Sequence, residues 1–177
     1  MNLPIAPVLE TERLRLRPLV LSDFDAYVAL WREPAVVRYI TGTPVTREAS
    51  WSQLVRTAGH WQLLGFGFLG IEDKASGCLI GEAGFQEMRR ELVPSIEETL
   101  ETGWGILPAY HGKGYAFEAV GAALAWAREA HPGRAYTCII HPENQASLRL
   151  AGKLGFAEDV TSTYLGNPVV ILRRPAP

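Results

Sequence analysis

The stretch His111-Gly112-Lys113-Gly114-Tyr115-Ala116 places two glycines directly before an alanine-rich segment with helical spacing. Glycine disfavours helix by about 1 kcal/mol relative to alanine, so its use at the point of entry calls for a backbone reason. One chemistry needs this pattern. Glycines let the main chain approach an anion and aim successive N–H groups at it, and the helix dipole adds about half a positive charge at the same place. Lys113 adds a cationic side chain. A tight turn requiring positive φ would select glycine as well. The segment is not a P-loop, because G-x-x-x-x-G-K-[ST] is absent.

Two other motif readings fail on context. Lys113–Phe117, KGYAF, matches the start of an RNA-binding RNP1 strand, but Glu118 and Val120 stand where an apolar and an aromatic residue are required, and the segment is helical. Residues 65–70, GFGFLG, spell G-x-G-x-x-G, yet a dinucleotide site needs that pattern after a strand and opening a helix. Here it follows a helix and runs into a strand. The formal net charge of −2 implies no broad nucleic-acid footprint. At 177 residues, 47% hydrophobic and 20% charged, the chain reads as a single domain, 1–177. Cys78 and Cys138 fit no metal spacing and lie in apolar stretches, so both are expected as buried free thiols in a reducing cytoplasm. The first residues, MNLPIAPVLE, lack the apolar core of a signal peptide. No run of 18 apolar residues suggests a membrane span. No metal site, nucleic-acid partner or membrane partner is expected, and monomer and homodimer stay open.

The elements that must position the glycine loop follow from periodicity. Residues 8–17 alternate Leu14 and Leu16 with Arg13, Arg15 and Arg17, a half-buried strand with the arginines on a solvated face. Ser22 caps a helix through Glu33, Pro34 opens a short second one, and Thr46 caps a third to about Leu64. Residues 65–73 and 78–88 form a hairpin about a Lys74–Gly77 turn. Residues 89–97 read as a loop and 98–107 as a fourth strand closed by Pro108. A helix runs from Ala116 to Pro132-Gly133, then a buried strand over 134–140, and a helix over 145–154 ended by Gly155. A final hairpin turns around Gly166-Asn167. The order is β-α-α-β-β-β-α-β-α-β-β. That is an α/β fold with a mixed, mostly antiparallel sheet of about seven strands and helices on both faces.

HGKGYA resembles the acetyl-coenzyme A loop of the GNAT N-acetyltransferases, Q/R-x-x-G-x-G/A, with His111 where that pattern has Gln or Arg. The segments TERLRLRPL (11–19), DAYVALWREPAVVRYI (25–40), ETGWGILPAYHGKGYAFEA (101–119) and NQASLRLAGKLGF (144–156) resemble the subgroup similar to ribosomal-protein N-terminal acetyltransferases, in the right order along nearly the whole chain. The resemblance implies a strand pair that splays to admit acetyl-CoA. Backbone near Trp104, Ile106 and Leu107 would pair with the pantetheine arm. His111, Gly112, Lys113, Gly114, Tyr115 and Ala116 would hold the pyrophosphate, and Asn144 would contact the arm while capping its helix.

The implied reaction is direct acetyl transfer from the thioester to a primary amine, of a small molecule or a protein N-terminus. Glu101, which matches the glutamate of the family's E-x-G-Y/W pattern, is the expected general base, with Glu82 in reserve. Glu118 reads as a helix-start charge, His111 as a positioning group, and His60 and His141 as incidental. The helix after the fifth strand carries Ala151 where many such enzymes have a tyrosine acid, which leaves Ser147, four residues earlier on the same face, as the hydrogen-bond donor to the leaving thiolate. Residues 32–50 and the 89–97 loop would form the acceptor pocket. A GNAT fold that binds acyl-coenzyme A with little turnover is the alternative.

Overall fold

The computed structural model describes residues 6–176; the expectation drawn from the first residues rests in part on Met1–Ile5, which lie outside them. The strands are β1 (Leu9–Glu10), β2 (Leu14–Arg17), β3 (Phe68–Asp73), β4 (Leu79–Gln86), β5 (Leu100–Ile106), β6 (Tyr136–Ile140), β7 (Ala157–Tyr164) and β8 (Asn167–Arg174). The helices are α1 (Phe24–Arg32), α2 (Pro34–Val37), α3 (Arg47–Leu64), α4 (Tyr115–Ala130) and α5 (Gln145–Lys153). The strands form one sheet in the order β1-β2-β3-β4-β5-β6-β8-β7. Every pairing is antiparallel except β5 with β6.

The eighth strand arises because residues 8–17 are not one strand. The Thr11 hydroxyl accepts from the Leu14 N–H at 3.0 Å, and the Thr11 N–H donates to the Leu14 carbonyl at 2.9 Å. This local turn folds β1 back on β2. The arginines that follow are not simply solvated. Arg15 pairs with Glu10 and Glu72, and Arg17 with Asp23 and Glu72. Asp23 also accepts from the Val20 N–H at 2.8 Å, so it, rather than Ser22, organises the entry to α1. Cys138 is buried as expected, but Cys78 is exposed in the turn before β4. The last hairpin turns at Leu165-Gly166, with φ of 49° and 80°, one residue earlier than the sequence suggests.

Helix α4 shows how composition sets packing. Ala119, Val120, Ala123, Leu124 and Ala127 are its buried residues. Their small side chains bring the helix close to the sheet, where it meets Ala83, Phe85 and Ile106 in the main core. The other face of the sheet is covered by α1, α2 and α3, whose core comprises Tyr27, Leu30, Trp31, Val36, Val37, Val45 and Leu54. As expected, Thr46 caps α3, accepting from the Ala49 N–H at 3.1 Å, and Gly65 ends it at φ 73°.

Candidate active site

The parallel pair β5–β6 is in register at only two positions, Leu100↔Tyr136 and Glu101↔Thr137. Beyond them β5 continues to Ile106 and β6 to Ile140, and the edges diverge. The Leu100 N–H donates toward β6, to the Ala135 carbonyl, and the Leu107 N–H donates toward β4, to the Ile80 carbonyl, each at 2.9 Å. Backbone groups alternate sides along a strand, so those of Thr102, Trp104 and Ile106 face the opening. Among the described residues the Trp104 N–H and C=O and the Ile106 N–H therefore meet no partner. The Ile106 carbonyl is already used, since it meets His111 Nε2 at 2.7 Å, which makes that ring nitrogen the donor. His111 thus ties the glycine loop to the outer end of the open edge. Leu107 does not belong to this edge. Its N–H bonds Ile80 and its carbonyl accepts from Tyr110 at 3.0 Å, because the chain turns into a short 3₁₀ segment at Pro108.

The opening leads to the glycine loop. Gly112 and Gly114 have φ of 72° and 83°, and Gly114 is the N-cap of α4, with no side-chain cap. The first helical bond is the Glu118 N–H to the Gly114 carbonyl at 3.0 Å. Among the described residues the N–H groups of 112–117 therefore meet no acceptor, which leaves them available to a ligand. Nothing lies within 4 Å of where a Gly112 Cβ would stand. The Lys113 ammonium folds back on the Ala109 carbonyl at 2.8 Å, still beside the loop. Across the opening, the Asn144 Oδ1 caps α5 by accepting from the Ser147 N–H at 3.2 Å. The Asn144 amide nitrogen and the Ser147 hydroxyl make no protein hydrogen bond among the described residues.

The two glutamates differ sharply. Glu101 is 5% exposed, and both its oxygens are engaged. Arg90 donates Nε to Oε2 at 2.7 Å and Nη2 to Oε1 at 2.8 Å, and Gln86 Nε2 adds 2.8 Å to Oε1. Glu82 is 4% exposed, and its Oε2 meets no partner among the described residues. It stands opposite Gly105 on β5, on the face covered by α1 and α2, one strand from the open edge. Gly105 brings no side chain between them, and Val36 roofs the spot, its Cγ1 3.4 Å from where a Gly105 Cβ would be. Burial pushes the Glu82 carboxyl up to about 7, against the pull of the Tyr27 hydroxyl and the Arg56 charge. Its neighbour Tyr27 is pushed well above the usual phenol range, chiefly by burial and then by the Glu82 charge.

Sequence reasoning missed Tyr27 and Arg90. Tyr27 sits on the apolar face of an ordinary amphipathic helix, and Arg90 in a polar segment read as loop. The histidines set aside have other contacts. His60 meets the Glu87 carbonyl at 3.1 Å, and His141 stacks on Tyr39 with centroids 5.3 Å apart. No group of three or more potential metal ligands occurs among the described residues.

Comparison with known proteins agrees with this geometry. Residues 13–157 match the acetyltransferase (GNAT) domain family. The uncharacterized N-acetyltransferase p20 of Bacillus licheniformis is 28% identical over 152 residues, 85% of this chain and 83% of that protein. A structure described as a GnaT-family acetyltransferase from Bordetella pertussis superposes with a TM-score of 0.85 at 33% identity, covering 95% of this chain and 99% of that one. The ribosomal L7/L12 alpha-N-protein acetyltransferase RimL, in complex with coenzyme A, shares the fold with a TM-score of 0.79 at 15% identity, over 96% and 98% of the two chains. An edge opened between two parallel strands, a glycine loop at the head of α4 and a family match spanning most of the chain lead to one conclusion: the protein is a GNAT acetyltransferase.

Proposed function

We propose that the protein transfers acetyl from acetyl-CoA directly to a primary amine, with Glu82 as the proton acceptor. The observation that carries this reading is the open β5 edge, which leads to the unpartnered N–H groups of 112–116. A pantetheine arm carries amide groups that match the free N–H and C=O of Trp104 and the N–H of Ile106. A diphosphate matches the loop's N–H groups and the Lys113 charge. Asn144, its Oδ1 already used, offers its amide nitrogen to the arm. When bound, acetyl-CoA supplies the activated acetyl thioester.

The residues then divide the proton work. A reacting amine must lose its proton, and a carboxylate serves best when its pKa lies near the operating pH. The free oxygen of Glu82 and its pKa near 7 support that role. An α-amine has a pKa of about 7.7–8.0 and a lysine amine about 10.4. Glu82 therefore lies within about one unit of the former and more than three below the latter, which favours an α-amine or another weakly basic amine as acceptor. Glu101 is better suited to hold the floor of the site. Glu101→Ala would leave Arg90 buried without its carboxylate, and is expected to lower stability by about 3–5 kcal/mol. Turnover per folded molecule should stay within about tenfold. Urea unfolding and active-site-normalised kinetics read both quantities.

Ser147 donates its unengaged hydroxyl toward the departing sulfur. A thiol of pKa about 8.5 leaves readily as thiolate, so Ser147→Ala should lower kcat only about tenfold, below the usual range for general acids. A larger rise in the Kd of coenzyme A than fall in kcat would return Ser147 to a binding role. The reading as a whole is tested by thiol release from acetyl-CoA with a panel of α-amines, lysine-bearing peptides and small amines. Thiol should appear in step with amide. Binding without amide formation on any acceptor would favour a sensor instead.

A further inference from the structure

The turn between β1 and β2 reaches 100 residues along the chain to grip the glycine loop. Arg13 Nη1 donates to the Lys113 carbonyl at 2.8 Å. Its Nε and Nη2 meet Glu118 Oε2 at 2.7 and 2.6 Å, and its backbone N–H meets Oε1 at 2.9 Å. The Thr11 hydroxyl donates to the same oxygen at 2.6 Å. The guanidinium lies over the Tyr115 ring, 4.2 Å from its centroid. Its Nη2 is 3.4 Å from where a Gly114 Cβ would stand.

We propose that Arg13 is a positioning residue that holds the glycine loop in the form that receives a diphosphate. This rests on the function proposed above. In a trans peptide the C=O and N–H point in opposite directions. Holding the Lys113 carbonyl against Arg13 therefore fixes the Gly114 N–H outward, toward the anion. The second effect is electrostatic. Glu118 lies one turn inside the helix, where a bare carboxylate would repel a diphosphate at the N-terminus. Arg13 neutralises it, and the bonds from Thr11 and Arg13 pull the Glu118 carboxyl below its ordinary range, against desolvation. Arg13 thus orients the donors and cancels the opposing charge without spending its guanidinium on the ligand.

The test compares coenzyme A, which carries the diphosphate, with acetyl-pantetheine, which does not. Arg13→Ala is expected to raise the calorimetric Kd of coenzyme A roughly tenfold, the scale of one lost charge-assisted contact. The KM of acetyl-pantetheine should not change. Arg13→Lys should recover part of the loss, since an ammonium can neutralise Glu118 but cannot also reach Lys113 and stack on Tyr115. Arg13→Ala combined with Glu118→Gln should likewise recover the electrostatic part alone. Wild-type protein that fails to bind coenzyme A refutes the functional reading. Wild-type binding with equal affinity in folded Arg13→Ala refutes the positioning role, and so does an equal rise in KM for acetyl-pantetheine. Should Arg13→Ala not fold, Arg13→Lys carries the same test, and unchanged coenzyme A affinity there, with both contacts broken, refutes it.

Discussion

Glu82→Gln is expected to lower kcat/KM by roughly 10²- to 10⁴-fold at pH 8, the range for loss of a positioned general base, and to make the protein more stable at the same pH. The two effects share one cause. Burial raises the Glu82 carboxyl to about 7 from an ordinary value of 4.5. The folded state therefore binds a proton more tightly than the unfolded state, and stability falls as pH rises between those values. Below about pH 4.5 both states hold the proton and there is no penalty. Above about pH 7 the charged carboxylate is buried without a full set of partners, and the penalty is complete. A gap of two to three units corresponds to about 3 kcal/mol, so the glutamine variant should gain up to that much at pH 8 and nothing near pH 4. Thermal unfolding at both pH values measures the gain, and initial rates of thiol release measure the loss. A variant that is slower but equally stable at pH 8 would mean that Glu82 is not charged in that environment. A variant that is more stable but equally fast would remove it from the chemistry.

Gly114→Val is expected to weaken coenzyme A binding on the order of 100-fold while leaving the fold intact. Gly114 has φ 83°, a conformation that costs a non-glycine residue roughly 1–2 kcal/mol and suits a β-branched one least. The new Cβ would also stand 3.4 Å from Arg13 Nη2. The chain relieves this by rotating the 113–114 peptide, which turns the Gly114 N–H off the anion and breaks the bond from Arg13 to the Lys113 carbonyl. A lost hydrogen bond to a charged group adds roughly 1.5–3 kcal/mol. Gly112→Ala meets no atom within 4 Å and should carry only the backbone strain. Calorimetry on both variants separates these contributions. Affinity equal to wild type in folded Gly114→Val would exclude the loop as the diphosphate site.

Much of this was legible in the sequence, for physical reasons. The glycines of residues 111–116 announced an unusual backbone, because only glycine adopts positive φ cheaply, and both have it. Periodicity placed α4 to within a residue because it buries a regular stripe, and the Asn144 cap and the Gly155 stop placed α5 equally closely. It failed at residues 8–17, where alternation continues across a reversal that depends on a Thr11 hydrogen bond. Which of the two glutamates keeps an oxygen without a partner was not legible either. A motif identifies Glu101 by its place on a strand, but whether a carboxylate is free depends on what faces it. Arg90 and Gln86 occupy Glu101 from positions 11 and 15 residues away. One Glu82 oxygen is left without a partner among the described residues, under a roof that α1 and α2 contribute from far back in the chain. Arg13 looked like one of three equivalent arginines. Only the fold shows that it alone reaches the glycine loop.

The most direct test of acetyl transfer with Glu82 as proton acceptor is the ratio of wild-type to Glu82→Gln kcat/KM, followed with one α-amine acceptor from about pH 5.5 to 8.5, since this quantity reports groups in the free enzyme. The amine's own ionisation affects both proteins and cancels in the ratio. The expected ratio climbs about tenfold per pH unit below about 7, where wild-type Glu82 is protonated and no better than glutamine, and then levels off. A ratio that is flat across the whole range would contradict the assignment and leave Glu82 as a buried structural acid.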